Sequence, residues 1–331
     1  MSSLLSVKGL RTEFITRDGI LPAVADVSFA LNRGEVLGLV GESGSGKSVT
    51  GFSIMGLVDA PGKIAGGSII FDGQELVGAD EETLRRLRGR RIAMIFQDPM
   101  MTLNPVLTVE TQMVETVLAH ESVGRAVARQ RCVEVLGKVG IASPSERLGQ
   151  YPHQFSGGMR QRVAIAIAML HKPDLIIADE PTTALDVTVQ GQILYEMQQL
   201  VSQSGTALIW ITHDLAVVAG LADNIAVMYA GRIVEHGAAE DVLNHPTHPY
   251  TRGLLDSVPA TTIPGQRLRQ IPGSAPSILQ LGVGCAFEAR CTRALPACTL
   301  MPEMAMVDSR STRCWNPIVQ QPSTASSEIS A

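Results

Sequence analysis

No run of about 18 uncharged apolar residues occurs in the 331-residue chain, so no transmembrane helix is encoded in it. The longest apolar stretches, such as Val163–Leu170 and Leu175–Ala178, have the length of buried helix turns or core strands. An excess of basic charge is also missing. Lys plus Arg number 27 against 32 Asp plus Glu, a net charge of −5, which argues against a chain whose main task is coating nucleic acid. That balance leaves room for a nucleotide, whose few phosphates need a local site and not a basic surface. The opening segment, Met1 to Phe14, lacks the charged start, apolar middle and small-residue cleavage site of a signal peptide. The expected location is therefore the cytosol, with any membrane contact made through partners. No internal repeat is present. Disorder over most of the length is excluded, because 45% hydrophobic and 18% charged residues supply a core for roughly two domains.

What is present changes character along the chain. Leu4–Val7 and Val24–Phe29 alternate apolar and polar residues and are broken by Arg17-Asp18-Gly19 and Asn32-Arg33-Gly34, which predicts strands and turns. Val36–Val40 is a short apolar strand running into a glycine-rich loop, and Ser68–Phe71 with Asp72-Gly73 predicts a strand and tight turn. From about Val109 to Leu170 the apolar residues fall at helical spacing. A buried strand restarts at Leu175–Ala178, a helix is expected over Val187–Gln203 and another strand over Ala207–Ile211. Alternating β and α around an inserted helical block predict a mainly parallel sheet with helices on both faces. After about His245, prolines, glycines and polar residues rise and four cysteines appear.

Gly41-Glu42-Ser43-Gly44-Ser45-Gly46-Lys47-Ser48 fits the pattern G-x-x-x-x-G-K-S/T, with a strand before it and a helical pattern after it. Glycines there let consecutive backbone N–H groups aim at phosphate oxygens, and the helix N-terminus adds its dipole. Lys47 would reach the β- and γ-phosphates and Ser48 would ligate Mg2+. Asp174–Glu180 is an apolar strand ending in two adjacent acids. Asp179 falls where an Mg2+ contact is needed, and Glu180 can polarise a water for in-line attack on the γ-phosphate. By themselves the two acids could equally cap the helix that follows.

Further segments resemble the ATP-binding-cassette (ABC) family. Phe155-Ser156-Gly157-Gly158-Met159 is similar to its signature, Gln97 to the Q-loop glutamine, Ala184-Leu185-Asp186 to the D-loop, and Thr212-His213-Asp214 to the switch-histidine segment. They follow the family's order from residue 14 to residue 213. The resemblance implies an α/β fold, a P-loop (RecA-like) ABC ATPase core over residues 1–245, with an inserted α-helical subdomain at about 101–170. It implies ATP bound by Phe14 stacking on adenine and by Gly41, Ser43, Gly44, Ser45, Gly46, Lys47, Ser48 and Val49. The Ser156, Gly157 and Gly158 edge and Asp186 of an opposing cassette would complete each site. Glu180, His213 and Gln97 are then the catalytic residues, and Ser48, Gln97 and Asp179 the Mg2+ contacts. The signature departs from the common pattern: Met159 stands where Gln is usual and Phe155 where Leu is usual. FSGGMRQRV resembles the peptide-importer branch.

His248–Leu255 with Ser257-Val258-Pro259, and Ile271–Pro276, resemble the C-terminal extension of oligopeptide/dipeptide importer ATPases, here placed at 246–318; the tail, 319–331, has a disordered composition. Cys285, Cys291, Cys298 and Cys314 are separated by five, six and fifteen residues. The tight pairs of zinc sites, about two to four residues apart, are absent. In a reducing compartment disulfides are not expected, and four thiolates could hold zinc or an iron–sulfur cluster, or be plain thiols. The resemblance implies a 4Fe-4S cluster. Cys132 is expected in the core of the helical block.

The resemblance thus implies an ATP-hydrolysing subunit at the cytoplasmic face of the inner membrane, energising import of di- or oligopeptides. Its implied partners are a second cassette (a paralogue or a second copy), two permease subunits and an extracytoplasmic substrate-binding protein, with no nucleic acid. Nickel, glutathione, opine or sugar cargo within the same role stays open. A non-transport ABC ATPase is disfavoured, because only one phosphate loop is present and the 132 positions from Lys47 to Asp179 hold a compact helical insert and no coiled coil. A module that holds ATP without cleaving it is disfavoured by Glu180 and His213.

Overall fold

A computed structural model describes residues 3–183, 186–257 and 270–319. Two sheets organise the chain. The smaller is antiparallel, with strands β1 (Leu5–Thr16), β2 (Gly19–Leu31), β4 (Gly62–Phe71) and β5 (Gln74–Glu75) in the order β2-β1-β4-β5. β4 turns back into β5 through Asp72 and Gly73, both at positive φ (49° and 82°), the left-handed pair that a tight hairpin requires. The larger sheet holds β3 (Val36–Val40), β6 (Ile92–Ile95), β7 (Leu175–Asp179), β8 (Ala207–Thr212), β9 (Asn224–Tyr229), β10 (Arg232–Ala238), β11 (Ala305–Val307) and β12 (Arg310–Thr312), in the order β11-β12-β10-β9-β3-β8-β7-β6.

The five strands β6, β7, β8, β3 and β9 are mutually parallel, as the alternation of β and α predicts. Their unbroken apolar sequences follow from burial on both faces. Val36 and Val40 of β3, Ile176 and Ala178 of β7, and Leu208 and Trp210 of β8 join one core cluster, which includes the helical block. The intervening Leu37, Leu39, Leu175, Ile177, Ile209 and Ile211 join a second, under the antiparallel sheet. A period of two thus sends alternate residues to opposite cores. From β9 onward the sheet turns antiparallel. β9 pairs with β10, and β10 with β12 of the C-terminal segment through Glu235–Thr312 and His236–Ser311. The segment after His245 therefore extends the main sheet and covers the edge that β10 would otherwise leave open.

The helical block comprises Val109–Leu118, Arg125–Lys138, Pro144–Arg147 and Gly157–Met169. Thr108 and Ser156 cap the first and last of these, their side-chain oxygens accepting Thr111 N and Met159 N. Cys132 is fully buried there, as expected, and burial pushes its thiol up to about 11. Arg162, almost wholly buried on Gly157–Met169, bonds Glu196 and Gln192 of the helix Val187–Ser204 and the Val139 carbonyl. The guanidinium thereby ties the block to the core through a satisfied buried cation. Among the described residues no helix is long and apolar enough to cross a membrane.

Candidate functional site

A cavity of about 780 Å³ opens between the glycine loop, the β1–β2 hairpin and the ends of the parallel strands. That volume suits a nucleotide-sized ligand. Its lining contains Phe14, Ser43, Gly44, Gly46, Lys47, Ser48, Val49, Gln97, Glu180 and His213, so residues spread over 200 positions meet in one place. Gly41 and Ser45, expected to cradle phosphate, are buried and not part of that lining. A Cβ at Gly41 would stand 2.2 Å from the Met228 carbonyl oxygen, and one at Gly46 (φ 101°) would stand 2.4 Å from Ala23 O. Glycine is therefore required at both by close backbone approach. Ser45 is buried and its carbonyl accepts Gly231 N, bracing the loop against the turn after β9.

Lys47 opens the helix Lys47–Met55 and is buried. Its Nζ donates to Gly41 O (2.8 Å) and Glu42 O (2.9 Å). Burial lowers its pKa, opposed by the negative charge of Glu180, Asp179 and Glu42. Next to it Ser48 Oγ donates to Asp179 Oδ1 at 2.9 Å. Asp179, at the end of β7, is 4% exposed; burial raises its pKa, the Ser48 bond lowers it, and Glu180 raises it further. Two adjacent carboxylates face a single lysine, and hard oxygen donors stand beside a cavity. This donor set fits Mg2+, which binds through one or two carboxylate or hydroxyl oxygens plus substrate phosphates. Among the described residues no group of three or more His, Cys, Asp or Glu side chains gathers to hold a metal ion, and Mg2+ held in that way needs none.

Glu180 is the hub. Its backbone sits at φ 45°, in the left-handed region, held by Glu180 N donating to Ile211 O at 2.9 Å. A non-glycine residue kept there is strained, and such strain persists where surrounding structure over-determines it. The carboxylate Oε2 accepts from Thr183 Oγ1 (2.9 Å) and lies 3.5 Å from Gln97 Nε2 and 3.2 Å from His213 Nδ1. The two remaining catalytic expectations thus meet on one oxygen. His213 is half exposed and follows β8, so β7 and β8 present Glu180 and His213 side by side.

Ser156, Gly157, Gly158 and Asp186 do not line this cavity. Ser156 caps its helix, Gly158 packs against Val189, and Asp186 caps the helix Val187–Ser204 by accepting Val189 N. Ser156 and Gly157 are exposed, free to meet a ligand held elsewhere. The two departures in the signature have packing reasons: Phe155 is buried in the core and Met159 packs against it. Ala184 and Leu185 of the expected D-loop, Val258 and Pro259, and all of the tail but Val319 lie outside the described residues.

Sequence reasoning missed four lining residues. Leu21 and Ala23 on β2, Glu42 in the loop and Ile278, in the short turn Ile278–Gln280, all border the cavity. Alternation in β2 could have pointed to the first two. Nothing local singles out Ile278.

The four C-terminal cysteines are unpaired, and their thiols are near enough to act on one another electrostatically. Burial raises the pKa of Cys285 and Cys291 and pushes Cys314 up to about 11, with the neighbouring sulfurs adding to the effect. Backbone N–H groups of Arg293, Leu295 and Asn316 donate to the sulfurs of Cys291, Cys298 and Cys314 at 3.3–3.4 Å.

Residues 24–183 match the ABC transporter family model, and residues 234–298 match that of the oligopeptide/dipeptide transporter C-terminal region. The chain is 48% identical over 317 residues to the oligopeptide transport ATP-binding protein OppD of Escherichia coli, covering 96% of this chain and 94% of that protein. It is 46% identical over 318 residues to the dipeptide transport ATP-binding protein DppD of Bacillus subtilis, covering 95% of each. Among solved structures it is similar to a dimeric ATP-binding cassette in a post-hydrolysis state bound to ADP and Pi, with TM-score 0.64, 27% identity, and coverage of 71% of this chain and 98% of that one. It is also similar to cbiO1 from Clostridium perfringens, part of the ABC transporter complex cbiONQ, with TM-score 0.62, 28% identity, and coverage of 74% and 92%.

Proposed function

The chain belongs to the ABC transporter family as an ATP-hydrolysing subunit, and we propose that it energises import of di- and oligopeptides through separate permease subunits. The observation that carries the catalytic part is the convergence of Gln97, Thr183 and His213 on one oxygen of Glu180, in the cavity that Lys47 and Ser48 also line.

ATP enters with its base toward Phe14 and its phosphates over the loop Gly41–Ser48. The β- and γ-phosphates take Lys47 Nζ from the carbonyls of Gly41 and Glu42, an exchange favoured because the buried ammonium gains charged partners. Ser48 and Asp179, with Gln97 nearby on Glu180, would hold Mg2+, which would neutralise charge on the phosphates. Glu180 accepts the proton of the attacking water while Thr183 fixes the orientation of its carboxylate. His213 bonds the γ-phosphate and keeps Glu180 in register. The Ser156–Gly158 edge, at a helix N-terminus with Ser156 and Gly157 exposed, faces the γ-phosphate of an opposing cassette; it does not line the cavity of its own chain.

Membership of the family implies a pair of cassettes and permease subunits. The natural pair is formed with a paralogue or a second copy, at the cytoplasmic face of the inner membrane, and cargo arrives from an extracytoplasmic binding protein. The strongest support for peptide cargo is the C-terminal region, which matches the oligopeptide/dipeptide model. The test is uptake of labelled di-, tri- and longer peptides in a deletion strain, competed with nickel and glutathione. Loss of peptide uptake, restored by this chain and not by its Lys47→Ala variant, supports the proposal. Intact peptide uptake in the deletion strain overturns it.

Cys285, Cys291, Cys298 and Cys314 are proposed to hold a 4Fe-4S cluster. The support is the resemblance of the C-terminal segment together with N–H donors on three of the four sulfurs, which favour thiolate ligands; the described structure does not gather the four thiols into one metal-holding group, so the cluster would have to draw them together. Bound there, a cluster supplies a covalent tie among segments that have little regular structure of their own.

A further inference from the structure

Glu42 is the first variable position of the phosphate loop, yet every polar group it carries is engaged. Its carbonyl accepts Lys47 Nζ (2.9 Å) and its N–H donates to Tyr250 Oη (2.9 Å). Its carboxylate takes both arms of one guanidinium: Arg290 Nη1 to Oε2 at 2.6 Å and Nη2 to Oε1 at 2.9 Å. Tyr250 and Arg290 both lie in the C-terminal segment, and Arg290 is 248 residues away in sequence.

Arg290 is held as firmly as Glu42. Its side chain is 6% exposed, its Nε donates to Pro272 O (2.9 Å), and Nη1 also reaches Tyr229 Oη (3.3 Å). The rings of Tyr229 and Phe287 flank it, with centroids 5.8 and 6.0 Å from its central carbon. A fork-on-fork pair fixes orientation as well as distance. If these residues only fastened the C-terminal segment to the core, an apolar contact would serve as well or better, because burying an ion pair is costly. The pair falls on one of the two loop residues whose carbonyls hold Lys47, and Glu42 itself borders the cavity.

We propose that Arg290, with Tyr250, is a positioning residue for the nucleotide site: the C-terminal segment holds Glu42, and through it the phosphate loop, in the geometry that receives phosphate. The fork stops the Glu42 side chain from turning, and the tyrosine fixes the peptide N–H. The loop backbone is therefore held in place when Lys47 leaves the Glu42 carbonyl for phosphate, and the following N–H groups remain available to a ligand. Nucleotide affinity then depends on the state of a segment that family members could lack without losing any of the cassette motifs. The inference rests on the assignment of the Lys47 loop as the ATP site.

The test is calorimetric titration of the full chain with Mg-ADP, at a temperature where near-UV circular dichroism shows each variant folded. Failure of the unsubstituted chain to bind overturns the ATP-site assignment itself, and is read before any variant. Given binding, Arg290→Met and Glu42→Gln should each weaken affinity by about tenfold or more, as displaced catalytic loops do. The double variant should bind no more weakly than the weaker single one, since both remove the same bond. Arg290→Lys, which keeps the charge but not the fork, should recover part of the loss, and Arg252→Gln, on the neighbouring helix Pro249–Asp256, should bind as the parent does. If Arg290→Met fails to fold, Arg290→Lys alone decides: affinity lowered several-fold supports the role, and unchanged affinity overturns it. A folded Arg290→Met chain that binds within about twofold of the parent, or additive losses in the double variant, shows that the pair is only a fastening and overturns the proposal.

Discussion

Replacing Glu180 by Gln removes one negative charge and almost nothing else. The glutamine oxygen can take the place of Oε2, where it still accepts from Thr183 Oγ1 (2.9 Å) and stays within reach of His213 Nδ1 (3.2 Å). Gln97 at 3.5 Å adapts to either group. The side chain keeps its volume and the strained backbone keeps its hydrogen bond to Ile211, so folding should be unaffected. What disappears is the base. A positioned general base contributes about 10²–10⁴-fold, so turnover should fall by about 3–5 kcal/mol in activation free energy. Nucleotide binding should move the other way. Asp179 and Glu180 place two carboxylates near one lysine, and neutralising one lowers the repulsion an incoming triphosphate meets. Phosphate release, measured with the cognate partners, should therefore collapse while ATP affinity holds or rises. Light scattering should show an ATP-bound pair of cassettes accumulating. Turnover within about tenfold of the parent would mean that another group takes the proton, and the role given to Glu180 would fall.

Ile278→Ser should weaken ATP binding about threefold to tenfold, the loss of roughly 1 kcal/mol of apolar contact at the cavity wall. The adjacent Leu279, 40% exposed and outside the cavity, should tolerate serine without change in a fluorescent-nucleotide titration. Acid should destabilise the chain through His248, whose ring is buried and whose pKa burial pushes down to about 3. The unfolded chain takes up the proton below about 6.5 and the folded chain does not, so stability is full above that pH and falls by about 1.4 kcal/mol per unit below it, down to about 3. His248→Asn, which can still accept Tyr250 N as the Pro249–Asp256 helix cap, should flatten the pH dependence of urea unfolding between pH 6 and pH 4; an unchanged slope would assign the acid sensitivity elsewhere. Protein purified without oxygen should contain iron and absorb broadly near about 400 nm, and Cys298→Ser should remove both; iron-free, colourless protein sinks the cluster.

The chemistry of the site was legible residue by residue. The loop from Gly41 to Ser48 needs its glycines for close backbone approach to Met228 and Ala23, and those glycines are visible in any reading of the chain. Glu180, His213 and Gln97 were marked by the strand or motif preceding each, because parallel strands expose their C-terminal ends to ligands. Less visible was the fate of the residues after His245. Composition marked them as a loop-rich appendage, whereas β12 pairs with β10, Tyr250 reaches Glu42, and Ile278 borders the cavity. A three-residue strand such as Arg310–Thr312 carries too little periodicity to announce itself, and its partner lies some 75 positions earlier.

Amino-acid order by itself determined what can be settled within a few residues: the phosphate loop, the acid pair at the end of β7, the alternation that sends neighbouring side chains into opposite cores, and hence the family and its reaction. The tertiary structure alone decided which distant groups touch. That Arg290 grips Glu42, that Ile278 borders the same cavity as Lys47, and that Ser156–Gly158 is absent from that cavity's lining all depend on how packed layers bring segments together. Local propensities act over one helical turn or one strand, whereas these meetings span up to 248 positions and are set by shape, register and the satisfaction of buried charge.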